Sequence, residues 1–220
     1  MPNAVEEPAL SDAEWDFAVY KIPNQRTKHQ VSRRPPSVES IQKHMRLFIG
    51  LPVPVELTRS LIRTAQTMQL HEPRWTAPEK AHLTLVFLGE VAEERLPSIE
   101  QELTGLNMTT LHLRINGLGS FPRSGILFVE VDPAPALLSL QKQVAEGMAR
   151  CGFAPEPRPY RPHITLARLR SPLQLGKTQL PRIDQAQHSF RVEEVNLYRS
   201  HLSAKGSAYE VLVNKQAAVK

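Results

Sequence analysis

Two tetrads, His82-Leu83-Thr84-Leu85 and His163-Ile164-Thr165-Leu166, hold the residues of this chain best suited to chemistry. Each alternates polar and apolar side chains, the period of a strand, so in each the histidine and the threonine share one face. An unperturbed imidazole titrates near pH ~6.5, so of two copies one can be neutral while the other is protonated. Two facing imidazoles thereby supply a general base and a general acid without a metal. The reaction they fit best is in-line displacement at phosphorus, one ring taking a proton from the attacking oxygen and the other giving one to the oxygen that leaves. Thr84 and Thr165 can donate to the non-bridging phosphoryl oxygens and stabilise charge there.

Arg161 and Arg168 flank the second tetrad, and between Arg158 and Arg182 the chain carries six basic residues and no acidic one. A guanidinium suits phosphate because its donors form a planar fork. Simple alternation puts Arg161 on the face of His163 and Arg168 on the opposite face unless a bend turns it, so Arg161 is expected nearer the substrate. Trp75 and Phe121 are candidates for stacking on RNA bases, set against the plainer reading of core or loop packing. His112, His188 and His201 stand alone and read as surface or structural residues, and Cys151 has no histidine beside it to activate it. The motif offers no Asp or Glu at ligand spacing, so neither a metal nor a cofactor is expected.

Positioning these groups requires strands. Met45–Leu51 reads as the opening strand, and Val55–Leu70 as a helix whose Leu57, Leu61, Ile62, Ala65 and Met68 face a sheet. Trp75 and Pro78 lie in a loop leading to a strand from His82 to Leu88, stopped by Gly89. Val91–Leu106 reads as a second helix. Leu111, Leu113 and Ile115 alternate with polar residues as a half-buried strand that can pair with Gly125–Val131. A third helix spans Ala136–Arg150, with Gly152 as its cap. The second tetrad follows in a strand His163–Leu169, then a loop over Pro172–Ala186, and strands at Phe190–Tyr198 and Tyr209–Val213. The repeat of a helix followed by a His-x-Thr strand hints at a duplicated lobe.

A length of 220 residues suits one large domain or two small lobes. With 41% hydrophobic and 22% charged residues the chain reads as globular rather than disordered, and its net charge of +5 favours an anionic partner without demanding one. The single cysteine excludes an intrachain disulfide and points to a reducing compartment. No apolar run approaches the ~20 residues of a membrane helix, and the N-terminus does not read as a leader, so a cytoplasmic, monomeric protein is expected. Residues 1–44 mix charges and prolines and read as a flexible extension, whose Arg33, Arg34 and Lys43 belong to a solvated tail; residues 215–220 read as a short tail.

The tetrads resemble those of the two-histidine phosphoesterase superfamily. Their surroundings are similar to its RNA 2',3'-cyclic phosphodiesterase branch, formerly called 2'-5' RNA ligase. Arg46–Leu51 resembles the opening strand, Arg74-Trp75 through His82–Glu90 the first motif block, Gly125–Val129 the middle strand, Arg161–Arg168 the second motif, and Val195–Ser200 with Gly206 and Tyr209 the closing strands. The resemblance covers about residues 45–214. It implies an α+β fold of two pseudo-symmetric lobes, each an antiparallel sheet with outer helices, and a cleft between them where the histidines meet. It implies that a terminal 2',3'-cyclic phosphate on RNA is opened to a 2'-phosphate without metal. His82 would protonate the departing 3'-oxygen, His163 would activate water, and Thr84, Thr165 and Arg168 would hold the phosphate. Two other readings stand beside this one: an RNA-end binding protein with little or no turnover, and a reversible 2'-5' ligase acting on tRNA halves.

Overall fold

The computed structural model describes residues 43–169, 180, 181, 183, 188–203 and 206–218. The predicted N-terminal extension through residue 42, and almost all of the predicted loop at 172–186 with Lys177 and Arg182, lie outside the described residues.

The described strands are β1 (His44–Pro52), β2 (Arg74–Trp75), β3 (His82–Ala92), β4 (Leu111–Phe121), β5 (Ile126–Val131), β6 (His163–Arg168), β7 (Ser189–Val192), β8 (Glu194–Ser203) and β9 (Gly206–Gln216). The helices are α1 (Val55–Gln66), α2 (Leu96–Thr104) and α3 (Pro135–Arg150). The strands form one antiparallel sheet in the order β7-β4-β5-β6-β3-β1-β8-β9, with β2 added on β6. This order is palindromic in kind. On one side β1-α1-β3 forms a pair flanked by β8; on the other β5-α3-β6 forms a pair flanked by β4. The two halves are the predicted lobes of an α+β fold. They meet where β3 touches β6 at a single residue pair, Leu83 opposite Ile164.

The helices are exchanged across that seam. Helix α1 leaves the first half yet packs on β6, and α3 leaves the second half yet packs on β3. Helix α1 buries Thr58, Leu61, Ile62 and Ala65, the positions its 3.6-residue period selects. Its Leu61 or Ile62, cut to alanine, would cost about 2–5 kcal/mol. Helix α3 buries Leu137, Leu140, Val144 and Met148. It ends as predicted at Gly152, with φ +83°, where Phe153 N–H bonds the Met148 carbonyl and Gly152 N–H that of Ala149.

Four expectations change. Gly89 does not stop its strand: it takes φ +73° inside β3, at a bulge where Leu88 is the extra residue against Leu47 and Phe48, and pairing continues to Ala92. The second helix accordingly starts at Leu96, after a short 3₁₀ turn at Glu93–Arg95. Arg74–Trp75 is a strand on β6 rather than loop, too short to show a period in sequence. The single strand expected at Phe190–Tyr198 is two: β7 pairs with β4, and after Glu193 β8 crosses to pair with β1 in the other half. Strand β9 continues through Gln216, and Lys215 donates to the Thr104 carbonyl. Among the described residues no helix is long and apolar enough to cross a membrane.

Candidate active site

The site grows from the seam. Leu83 and Ile164 are fully buried and face the core, so the residues on either side of them face the other way. Extending the antiparallel register from that pair puts His82 across from Thr165 and Thr84 across from His163. The four polar side chains thus form a square on one face, each histidine beside the other tetrad's threonine, with the histidines on a diagonal of about 7–8 Å between backbone positions. Such a diagonal leaves room for one phosphoryl group between the rings.

Both imidazoles are held in the same way. His82 Nδ1 lies 2.8 Å from the Lys80 carbonyl, and His163 Nδ1 lies 2.8 Å from the Arg161 carbonyl. A carbonyl only accepts, so Nδ1 carries the hydrogen in each ring and Nε2 is left for the substrate. Burial holds both imidazoles below the ordinary 6.5, the carbonyl contact pulling the other way. Charge on His163 and Arg168 lowers His82 further. Arg161 and Arg168 lower His163, while Glu130 raises it. Without a ligand both rings are therefore neutral at pH 7, and an anion between them would favour protonation of one.

Aromatic rings fix the imidazoles from the sides. Phe48 lies 4.6 Å from His82 between ring centres, and Tyr209 meets it edge-on at 5.0 Å. Phe121 meets His163 edge-on at 5.2 Å, and Phe128 lies 5.2 Å away. Gly119 makes room for this second set: a Cβ there would come within 2.5 Å of the Phe128 ring. Tyr160, ahead of β6, donates to the Thr84 carbonyl at 2.9 Å and ties the halves together beside the seam; its burial pushes the phenol far above its usual range. The Thr84 and Thr165 hydroxyls lie on the same open face as the rings, half-buried and within reach of a group seated between them.

Arg168 reaches this face because of a bulge. Thr165 opposes Phe128 and Ala167 opposes Leu127, so Leu166 is an extra residue in β6. Leu166 and Ala167 are both buried, and Arg168 emerges exposed on the side of His163. Strict alternation, which put Arg168 on the far face, fails at that one residue. The first tetrad has the same irregularity: Ile49 opposes Val86 and Gly50 opposes Thr84, leaving Leu85 extra. Arg161 lies at the site's edge, paired with Glu130, its guanidinium 5.1 Å over Phe128 and 5.5 Å over Phe121.

Trp75 is not brought to the cleft. It pairs with core-facing Ala167 and sits with Ile62, Arg63 and Gln66 of α1 on the opposite face. Phe121 is at the site but only 7% exposed, a wall behind His163 and Phe128. Sequence reasoning missed Lys80, which stands two residues before His82 as Arg161 does before His163; its ammonium donates to the Ser207 carbonyl at 2.8 Å. Cys151 donates to the Ser98 carbonyl away from these groups. Among the described residues no cluster of three His, Cys, Asp or Glu side chains is placed to hold a metal.

Comparison with known proteins finds relatives over most of the chain. The chain is similar to the RNA 2',3'-cyclic phosphodiesterase of Thermus thermophilus, 33% identical over 184 residues, which cover 76% of this chain and 88% of that protein. It is also similar to the enzyme of the same name from Methanocaldococcus jannaschii, 28% identical over 174 residues, 76% of this chain and 98% of that one. Among solved structures, that of E. coli LigT complexed with 3'-AMP superposes with a TM-score of 0.72 at 26% identity, covering 80% of this chain and all of that one. A structure from Thermus thermophilus superposes with a TM-score of 0.67 at 31% identity, covering 78% and 97%. The sequence profile of the 2'-5' RNA ligase superfamily matches residues 53–204. With two His-x-Thr strands meeting at the centre of a two-lobed sheet and a profile match over most of its length, this chain belongs to the 2'-5' RNA ligase superfamily.

Proposed function

We propose that this protein hydrolyses the terminal 2',3'-cyclic phosphate of RNA to a 2'-phosphomonoester, by acid–base catalysis between His82 and His163 and without a metal. The observation that carries the reading is the matched anchoring of the two rings: each Nδ1 is tied at 2.8 Å to the carbonyl two residues before it, on one face of adjoining strands. In the free protein both rings are neutral. Binding of the phosphate anion favours a proton on one of them, His82 in this reading, and leaves His163 as the base.

The attacking water forms a bond to phosphorus and loses its proton to His163 Nε2. The bond from phosphorus to the ribose 3'-oxygen breaks, and that oxygen takes the proton from His82 Nε2. The proton gained by His163 returns to His82 through solvent, so the cycle balances. Thr84 and Thr165 donate to the two non-bridging oxygens, each from the strand opposite a catalytic ring, and Arg168 adds positive charge from the edge. Arg161 is read as supporting His163 and the phosphate through its place over Phe128. All six groups come from one chain, so the site requires no second copy, and the protein is read as active in the monomer.

The test is turnover of a nucleoside 2',3'-cyclic phosphate with a chelator present, followed by phosphorus NMR. A 2'-monoester is expected. A 3'-monoester would sink the assignment of the leaving oxygen, and loss of turnover on chelation would sink the metal-free mechanism. With a 5'-hydroxyl in place of water the same displacement would join RNA ends through a 2'-5' bond, its proton going to His163 and the 3'-oxygen taking one from His82. The reverse would cleave that bond to a cyclic phosphate, so the assay belongs in both directions.

A further inference from the structure

Strand β2 breaks the two-fold pattern of the sheet. It is added to β6 alone, and among the described residues β3 carries no such addition. Its two residues face opposite ways. Trp75 goes with Ala167 to the core side, and Arg74 lies directly across from Arg168 on the side that carries the histidines. Two guanidinium groups so placed repel each other. Both arginines are exposed, and among the described residues neither has a carboxylate partner. Arg114, Arg150, Arg161 and Arg191 each have one. A pair of like charges that nothing in the fold offsets is one that a bound anion would relieve.

The pair stands at one end of the catalytic square. Strand β6 runs antiparallel to β3, so Arg168, beyond Thr165, lies at the end where His82 begins β3. Lys80, two residues before His82, adds a third cation there, its ammonium held by the Ser207 carbonyl and not by an acid. At the other end the cation is Arg161, and Glu130 offsets it. Charge on Arg168 reaches both imidazoles and lowers them, whereas Arg74, beyond it, contributes to neither. Arg74 is thus placed for an anion other than the one between the rings.

We infer that Arg74 takes the phosphate on the 5' side of the nucleoside whose cyclic phosphate reacts, so that the site reads the end of an RNA strand rather than a lone nucleoside. The inference rests on the function proposed above. There the 3'-oxygen departs toward His82, and C3', C4' and C5' follow it in bonded order. The 5'-phosphate is therefore carried out at the His82 end, where the two arginines stand. The planar fork of a guanidinium fits such a phosphate. The contact supplies affinity and register and takes no part in the chemistry.

The experiment measures turnover of adenosine 2',3'-cyclic phosphate with and without a 5'-phosphate by the wild type and R74A. Arg74 is exposed and its removal takes away one of two like charges, so the fold is expected to hold, which a melting curve checks; R74Q replaces R74A if it does not. The wild type is expected to show a KM about ten-fold lower for the 5'-phosphorylated substrate at similar kcat, an advantage that shrinks as salt is raised. R74A is expected to lose that advantage and to cleave the substrate without a 5'-phosphate as the wild type does. A wild type indifferent to the 5'-phosphate, an advantage that R74A keeps, or an equal loss by R74A on both substrates would overturn the inference. If the wild type turned over neither substrate, the proposed function would fail by itself. The inference is then read from equilibrium dialysis of adenosine 2',5'-bisphosphate against adenosine 2'-monophosphate: a preference for the bisphosphate that R74A abolishes supports it, and no preference refutes it.

Discussion

The half of the molecule that carries His82 and the half that carries His163 are alike at phosphorus and unlike one step away from it. In both, a histidine is tied through Nδ1 to the carbonyl two residues back, a threonine follows on the same face, and the fourth tetrad residue is the extra one of a bulge. Beyond the bulge one strand presents Phe87 and the other Arg168. The shared part suits a reaction whose two proton transfers are related by reversal, since donor and acceptor need the same reach and the same orientation. The differing part suits a substrate that is not symmetric: a nucleoside leaves on one side and water enters on the other. A duplicated lobe would account for the square of histidines and threonines, and divergence at its rim for the polarity of the proposed reaction.

The harshest test of the likeness is to remove each ring. H82A and H163A should each lower kcat/KM by about a hundred- to ten-thousand-fold with folding intact. Their pH profiles should differ, because loss of the acid removes the alkaline limb and loss of the base removes the acidic one. Near-normal turnover by either variant would break the comparison. In the wild type both limbs should lie low: burial holds both imidazoles below 6.5, so kcat/KM should already be falling as the pH rises through that value.

Next in size are the hydroxyls. T84V and T165V should each cost about a hundred-fold in kcat with little change in stability, and the two losses should be similar. A loss confined to one of them would mean that the phosphate is held from one side. The unlike pair is tested by R168A, expected to lower kcat/KM about ten-fold on cyclic phosphates with or without a base. An effect that depended on the base would move Arg168 from the phosphate to the nucleoside.

The smallest effect is expected at Glu130, which opposes His163 and pairs with Arg161. Its carboxylate favours the protonated imidazole. E130Q should therefore lower the pKa of His163 further and move the acidic limb of the profile to lower pH, while the alkaline limb stays in place. A shift of the alkaline limb instead would exchange the roles of the two histidines.

Much of this was legible from residue types and period. The tetrads, the shared face of histidine and threonine within each, the buried stripes of α1 and α3 and the cap at Gly152 all follow from local alternation or helical spacing, which short stretches of chain carry in themselves. The crossing at Glu193 also left a trace, since the apolar positions shift phase from Phe190 and Val192 to Val195 and Leu197. Other features had no local sign. Two residues at Arg74–Trp75 cannot display a period, and Gly89 reads as a strand end unless its bulge is known.

By itself the sequence determined which residues could move protons, which strands would carry them, and that there are two such strands. Only the tertiary structure decided that those strands meet at one residue pair, so that each histidine faces the other's threonine. It also decided that an extra residue in each turns Arg168 and Phe87 toward the site. The physical reason is that side-chain period is a property of each strand alone, whereas register and bulges are set by the partner strand and by the core both must cover.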